Sequence, residues 1–153
     1  VTDAPRCSLR AIHPGDIRAL AAAEVACFDD AWPESYVASE LFAPARFHRV
    51  LVDPGGRLAA YLFAAWQYLD LHILKVATLP PFRRFGLGTE LMIAAEEHAR
   101  EMAGETLTLE VRVTNIAAIG LYESLGYEHV GVRPGYYADE SDALIMTKRV
   151  GET

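Results

Sequence analysis

The chain of 153 residues is poor in cysteine and in positive charge, and it has no long apolar run. Its two cysteines, Cys7 and Cys27, form no Cys-x-x-Cys pairing, which points to reduced thiols in a cytoplasmic protein. No stretch nears the ~18 apolar residues that span a bilayer, and the start lacks a basic-then-apolar signal pattern. Neither a membrane protein nor a secreted one is expected. Lys and Arg number 14 against 21 Asp and Glu, a net charge of −7. That balance argues against direct nucleic-acid binding, which depends on phosphate neutralisation. It suits small anionic ligands held locally, and it favours the approach of a basic macromolecule. His13, His48, His72, His98 and His129 are scattered, without metal-ligand spacing, so no metal is expected. There is no Gly-x-Ser-x-Gly elbow and no cysteine motif that marks a nucleophile, so covalent catalysis is not suggested.

Apolar residues make up 52% and charged residues 23%. This is ample material for a core, and the length predicts one domain over residues 1–153. Residues 7–12 read as a strand, followed by a helix with the stripe Ile17, Leu20, Ala21, Val25 and Phe28. A second helix starts near Pro33 and carries Tyr36, Val37 and Leu41. Strands at 46–52 and 58–68 flank the turn Asp53-Pro54-Gly55-Gly56. Leu69 to Thr78 is a further strand, apolar on both faces as in the middle of a covered sheet. After Gly88 a helix runs to about Ala103, with Leu91, Ala95, His98 or Ala99, and Met102 on one face and a Glu96–Arg100 pair on the other. Thr106 to Val113 alternates as a strand. Asn115 caps a helix that ends at Leu125-Gly126, and strands at 127–133 and 142–150 close the chain. The order β-α-α-β-β-β-α-β-α-β-β predicts a single-domain α/β fold, a mixed central sheet flanked by helices.

Two places carry candidate chemistry. Arg83-Arg84-Phe85-Gly86-Leu87-Gly88 lies between a strand and a helix. Its glycines allow a tight turn and close backbone approach, the helix N-terminus offers free N–H groups, and two arginines suit phosphate. A P-loop is excluded because Gly88 is followed by Thr89. A dinucleotide fingerprint is excluded because Leu91 stands where Gly or Ala is needed. An ordinary loop with two solvated arginines fits the spacing as well. The second place is Glu110, on the polar face of its strand, with Tyr122 on the following helix. A carboxylate can take a proton, and a phenol can return one to a departing thiolate or alkoxide. In isolation the pair also fits a solvated strand acid and a half-buried helix phenol.

Ile73-Leu74-Lys75-Val76-Ala77-Thr78, Pro80 and Arg83-x-x-Gly-x-Gly88 resemble the acetyl-CoA-binding motif of the GNAT acetyltransferase superfamily. The block from Leu109 to Tyr127 is similar, almost residue for residue, to RimI-type ribosomal-protein N-terminal acetyltransferases. The ending Arg133-Pro134-Gly135-Tyr136-Tyr137, then Asp142 to Met146, is also similar, and the stretch Phe28 to Glu34 more loosely so. The resemblance implies that Val76, Ala77 and Thr78 hold the pantetheine and acetyl portion by their backbone. It implies that Arg84, Phe85, Gly86, Leu87, Gly88 and Thr89 cradle the pyrophosphate, and that Arg83 and Asn115 also contact the donor. Glu110 would be the base and Tyr122 the acid in direct transfer, with a backbone N–H near Ala77 facing the oxyanion. Asp30, Trp32, Arg133, Tyr136 and Tyr137 would border the acceptor groove.

An α-amine has an unperturbed pKa of ~8 against lysine's ~10.4, so it needs only modest help. The implied acceptor is a protein N-terminus with a small first residue, on a ribosomal protein. The alternatives are a lysine or small-amine acetyltransferase of the same superfamily, or a non-catalytic acyl-CoA-binding module. Three positions depart from the family pattern: Lys75 where Asn is frequent, Phe85 inside the phosphate loop, and Leu79 before Pro80.

Overall fold

The computed structural model describes residues 6–151. The termini of the expected 1–153 domain, residues 1–5 and 152–153, lie outside the described residues. Among the described residues, seven strands and four α-helices follow in the expected order. They are β1 (Ser8–Ala11), α1 (Ile17–Cys27), α2 (Glu34–Phe42), β2 (Arg49–Val52), β3 (Leu58–Gln67), β4 (Asp70–Thr78), α3 (Leu87–Glu101), β5 (Thr106–Arg112), α4 (Ile116–Ser124), β6 (Glu128–Arg133) and β7 (Ala143–Arg149). The strands form one mixed sheet in the order β1-β2-β3-β4-β5-β7-β6. The β4–β5 pair is parallel, and β1–β2, β2–β3, β5–β7 and β6–β7 are antiparallel.

The chain forms two compact units, Val1–Ala64 with Lys75–Ala94, and Ala65–Leu74 with Ala95–Thr153. Strand β3 is the one buried on both faces, from Ala59 to Ala65. The sequence pattern predicts that role for Leu69 to Thr78. Instead β4 buries Leu71 and Ile73 and leaves Asp70 and His72 only partly covered. The Asp53 turn forms as expected. Its carboxylate accepts the Arg57 backbone N–H at 2.8 Å, and Gly56 takes φ +86°.

Helix α1 buries Leu20, Ala23 and Glu24, while Val25 is 74% exposed. The apolar stripe read from the sequence is therefore rotated, and a glutamate occupies its centre. Helix α2 buries Val37 and Glu40. Glu40 is held by Arg46 at 2.8 Å and by His48 at 3.1 Å. Burial pushes the His48 imidazole below its ordinary pKa despite the nearby carboxylate.

In the second unit β5 alternates as predicted, with Leu107, Leu109 and Val111 inside. Helix α3 buries Ala95 and Ala99 here, but Met102 is 61% exposed because Ala103 turns left-handed at φ +58° and ends the helix. Gly104 follows, with its N–H on the Ala99 carbonyl at 2.8 Å and the Trp66 ring against it. The predicted Glu96–Arg100 pair is long, 3.9 Å, whereas Glu96 meets Lys148 at 2.5 Å. Asn115 caps α4 by accepting the Ala118 N–H at 3.2 Å.

Candidate active site

The first unit holds the strand-loop-helix segment. Strand β4 ends at Val76, Ala77 and Thr78, and Leu79 returns its N–H to the Ala59 carbonyl at 2.9 Å. A single 3-10 turn, Pro80–Phe82, leads into the loop. Arg84 and Gly86 both adopt the left-handed region, φ +71° and +77°. A Cβ built on Gly86 meets nothing within 4 Å, so the glycine answers a backbone requirement and not a local clash. Helix α3 begins at Leu87, and its first intrahelical bond runs from Glu90 N–H to the Gly86 carbonyl, 3.0 Å. The N–H groups of Leu87, Gly88 and Thr89 thus belong to the unpaired first turn, where the helix dipole favours an anion.

Arg83 behaves differently from Arg84. Its Nε donates to the Thr78 carbonyl at 3.0 Å, so the side chain folds back onto the strand end. Phe85 is partly covered, between two exposed neighbours. Trp32 lies between α1 and α2, its ring 4.6 Å from Tyr36 and 5.1 Å from Phe63. Lys75, one residue before Val76, reaches this segment. Its ammonium is 3.7 Å from the centre of the Phe28 ring and 5.3 Å from that of Trp32.

The second unit holds His72, Glu110 and Tyr122. The Glu110 side chain is 7% exposed, and its Oε2 lies 2.5 Å from His72 Nε2. Its Oε1 lies 3.4 Å from Arg133 Nε. Along the sequence His72 is one of several scattered histidines. Yet His72 pairs in register with Thr108, two residues before Glu110, and on parallel strands residues of like parity share a face. That parity was the available signal. The other ring nitrogen of His72 is 3.3 Å from Gln67 Nε2. Arg133, Tyr136 and Tyr137 form a chain of contacts, Arg133 being 5.9 Å from the Tyr136 ring and the two tyrosine rings 5.0 Å apart. Arg112 lies over Tyr137 at 4.1 Å and also pairs with Asp139 at 2.8 Å.

Tyr122 sits on α4 and is 8% exposed, its ring 6.0 Å from Tyr127. Burial, with Tyr137 adding to it, pushes its phenol up to about 12. It therefore stays protonated throughout the neutral range. The Asn115 side-chain oxygen is engaged in capping this same helix.

The Acetyltransferase (GNAT) family matches residues 17–127. A Bacillus subtilis protein, provisionally named a ribosomal protein bS18-alanine N-acetyltransferase, is 32% identical over 149 residues, 96% of this chain and 98% of that one. The Escherichia coli K12 ribosomal protein bS18-alanine N-acetyltransferase is 32% identical over 118 residues, covering 75% and 78%. The crystal structure of the Escherichia coli S18-alanine enzyme superposes with a TM-score of 0.88 at 28% identity, over 97% of this chain and 96% of that one. The chain belongs to the GNAT family and is an acetyl-CoA-dependent N-acetyltransferase.

Proposed function

We propose that the protein acetylates the free N-terminal amine of a protein, a ribosomal protein with a small first residue, and that Glu110, His72 and Tyr122 move the protons. The observation that carries the reading is the His72–Glu110 contact on a nearly buried carboxylate, 2.5 Å. A carboxylate engaged by an imidazole can pass a proton on, and the 16% exposed His72 side chain leads outward toward Gln67. With a pKa of ~8, an α-amine needs only modest help to lose its proton near neutrality. Tyr122, kept protonated by burial, returns a proton to the leaving sulfur. Acetyl-CoA supplies an acetyl group activated as a thioester. Gly86 and Arg84 give the loop its left-handed turns, and the first-turn N–H groups of α3 suit its pyrophosphate. Val76, Ala77 and Thr78 offer strand-end backbone to its pantetheine arm. Asn115, by capping α4, sets the helix that carries Tyr122. Trp32 in the first unit would line the acceptor path, and Arg133, Tyr136 and Tyr137 in the second are proposed as acceptor contacts in their own right. The names of the ribosomal-protein enzymes to which the chain is similar over most of its length support the choice of acceptor.

The test pairs two peptides in the presence of acetyl-CoA. One has a free N-terminal Ala, and the other is the same peptide with that amine blocked and a lysine available. Mass spectrometry should find acetyl on the α-amine of the first and none on the second. Equal modification of the blocked peptide overturns the reading.

A further inference from the structure

Glu24 is an acid on an alanine-rich helix, yet it has no solvent exposure. Burying a carboxylate is unfavourable unless donors surround it, and here three do. Oε1 accepts the backbone N–H of Trp32 at 2.9 Å and the ammonium of Lys75 at 2.9 Å. Oε2 accepts the Tyr61 hydroxyl, whose phenol is pushed well up by burial and by that bond. Lys75 is only 12% exposed on its side chain, and it packs its charge against the rings of Phe28 and Trp32. Every one of these partners except Tyr61 and Lys75 lies on α1 or on the segment joining α1 to α2.

A pair buried in this way is a poor source of stability, since an apolar replacement of similar volume is frequently neutral. What it does specify is geometry. The carboxylate binds one backbone N–H of the joining segment and one side chain of β4, and the ammonium is attracted to the faces of two rings of the same segment. A neutral amide at position 75 can hydrogen-bond the carboxylate but lacks the attraction to the rings. Lys75 is also the residue immediately before Val76. Whatever moves it is transmitted to the strand end.

We infer that Glu24 and Lys75 are positioning residues for the acceptor. They pin the segment from Phe28 to Pro33, and with it the Trp32 indole, to β3 and β4, so that recognition of the acceptor's first residues depends on this ion pair. The inference rests on the reading above in one respect, that Trp32 lines the acceptor path.

The experiment uses Lys75→Met, Glu24→Gln and the double variant, with an octapeptide bearing N-terminal Ala and with acetyl-CoA. Each single variant should raise the KM for the peptide about 10-fold, with kcat and the KM for acetyl-CoA within about twofold of the unmodified protein. The double variant should be no worse than the worse single one, because the two act as one unit. Hydrogen exchange read by mass spectrometry should accelerate at least about 10-fold in the peptide covering 28–33 and stay unchanged in β5.

Unchanged peptide KM with unchanged exchange overturns the inference, as does an equal rise in both KM values, which would assign the pair to the donor strand. If Lys75→Met melts below the assay temperature, Glu24→Gln carries the same test, since its amide oxygen still accepts the Trp32 N–H. If the unmodified protein acetylates no N-terminal peptide, the proposed function fails. The exchange measurement, which needs no substrate, still decides whether the pair pins the segment, and the KM split is then read with the amine the protein does accept.

Discussion

His72 on β4 and Glu110 on β5 meet along a diagonal of two parallel strands, Nε2 to Oε2, 2.5 Å. The same diagonal joins Asp70 to Thr108, whose hydroxyl donates to Asp70 at 2.8 Å. His72 pairs in register with Thr108, so the offset of two residues is a property of the strand pair and not of one side chain. A histidine and a glutamate far apart along the chain thereby become one hydrogen-bonded pair.

Replacing His72 by Asn should lower kcat about 10–100-fold in an acetyl-transfer assay, and Glu110→Gln somewhat more, within the ~10²–10⁴ range of general acid–base help. Combined, the two changes should cost little more than Glu110→Gln alone, since groups acting as a unit are not additive. Full additivity of the two losses would separate them.

Tyr122→Phe should reduce kcat by roughly 10²-fold or more without loss of fold. Because burial holds the phenol at about 12, the unmodified enzyme should keep this contribution through pH 10 and lose it only as pH rises toward 12. A pH–rate profile measures this. Near-normal kcat in Tyr122→Phe would contradict the role, and an alkaline fall centred below pH 10 that disappears in Tyr122→Phe would contradict the raised phenol.

The loop before α3 allows charge and conformation to be separated. Arg84→Ala should raise the KM for acetyl-CoA about 10-fold, as expected for loss of a charge-assisted contact of ~1.5 kcal/mol. Arg84→Gly should weaken the donor similarly while stabilising the fold by up to ~1 kcal/mol, because the residue sits at φ +71°. Gly86→Val should harm both, since a β-branched residue at φ +77° is strained even though its Cβ meets nothing within 4 Å. Isothermal titration with coenzyme A and a thermal melt distinguish the three.

Gly104→Ala should destabilise the protein by about 1–3 kcal/mol, because the new Cβ would stand 2.6 Å from the Trp66 ring. The melting temperature should fall by a few degrees to roughly 10 °C. Trp66→Leu in the same background should recover part of the loss.

His48 makes stability depend on pH. Burial lowers its folded-state value from 6.5, with Glu40 opposing, so the unfolded chain takes up the proton first as pH falls. Stability should be complete above about pH 6.5 and decline as pH drops through the lowered folded value. Glu40 is buried, which alone would raise its value, but Arg46 and His48 hold it below 4.5. It therefore adds a further loss of stability below that pH. Thermal melts across pH 4–8 should show the decline, and His48→Gln should flatten its upper part.

The amino-acid sequence by itself determined the order of elements, the alternation of β5, the cap at Asn115 and the helix stops near Gly104 and Gly126. All of these are set by neighbours within a few residues. It also carried the two blocks, around Arg83–Gly88 and from Leu109 to Tyr127, by which the family is recognised. Only the tertiary structure decided that β3 is the doubly buried strand, that Glu24 and not Val25 faces inward, and that His72 and Glu24 find Glu110 and Lys75. The reason is that strand register and helix rotation are settled by partners far along the chain. Glu24 and Lys75 are 51 positions apart, and His72 and Glu110 are 38 apart. A buried carboxylate is tolerated only once those distant donors arrive, so local patterning assigns it to the surface until the fold brings them in.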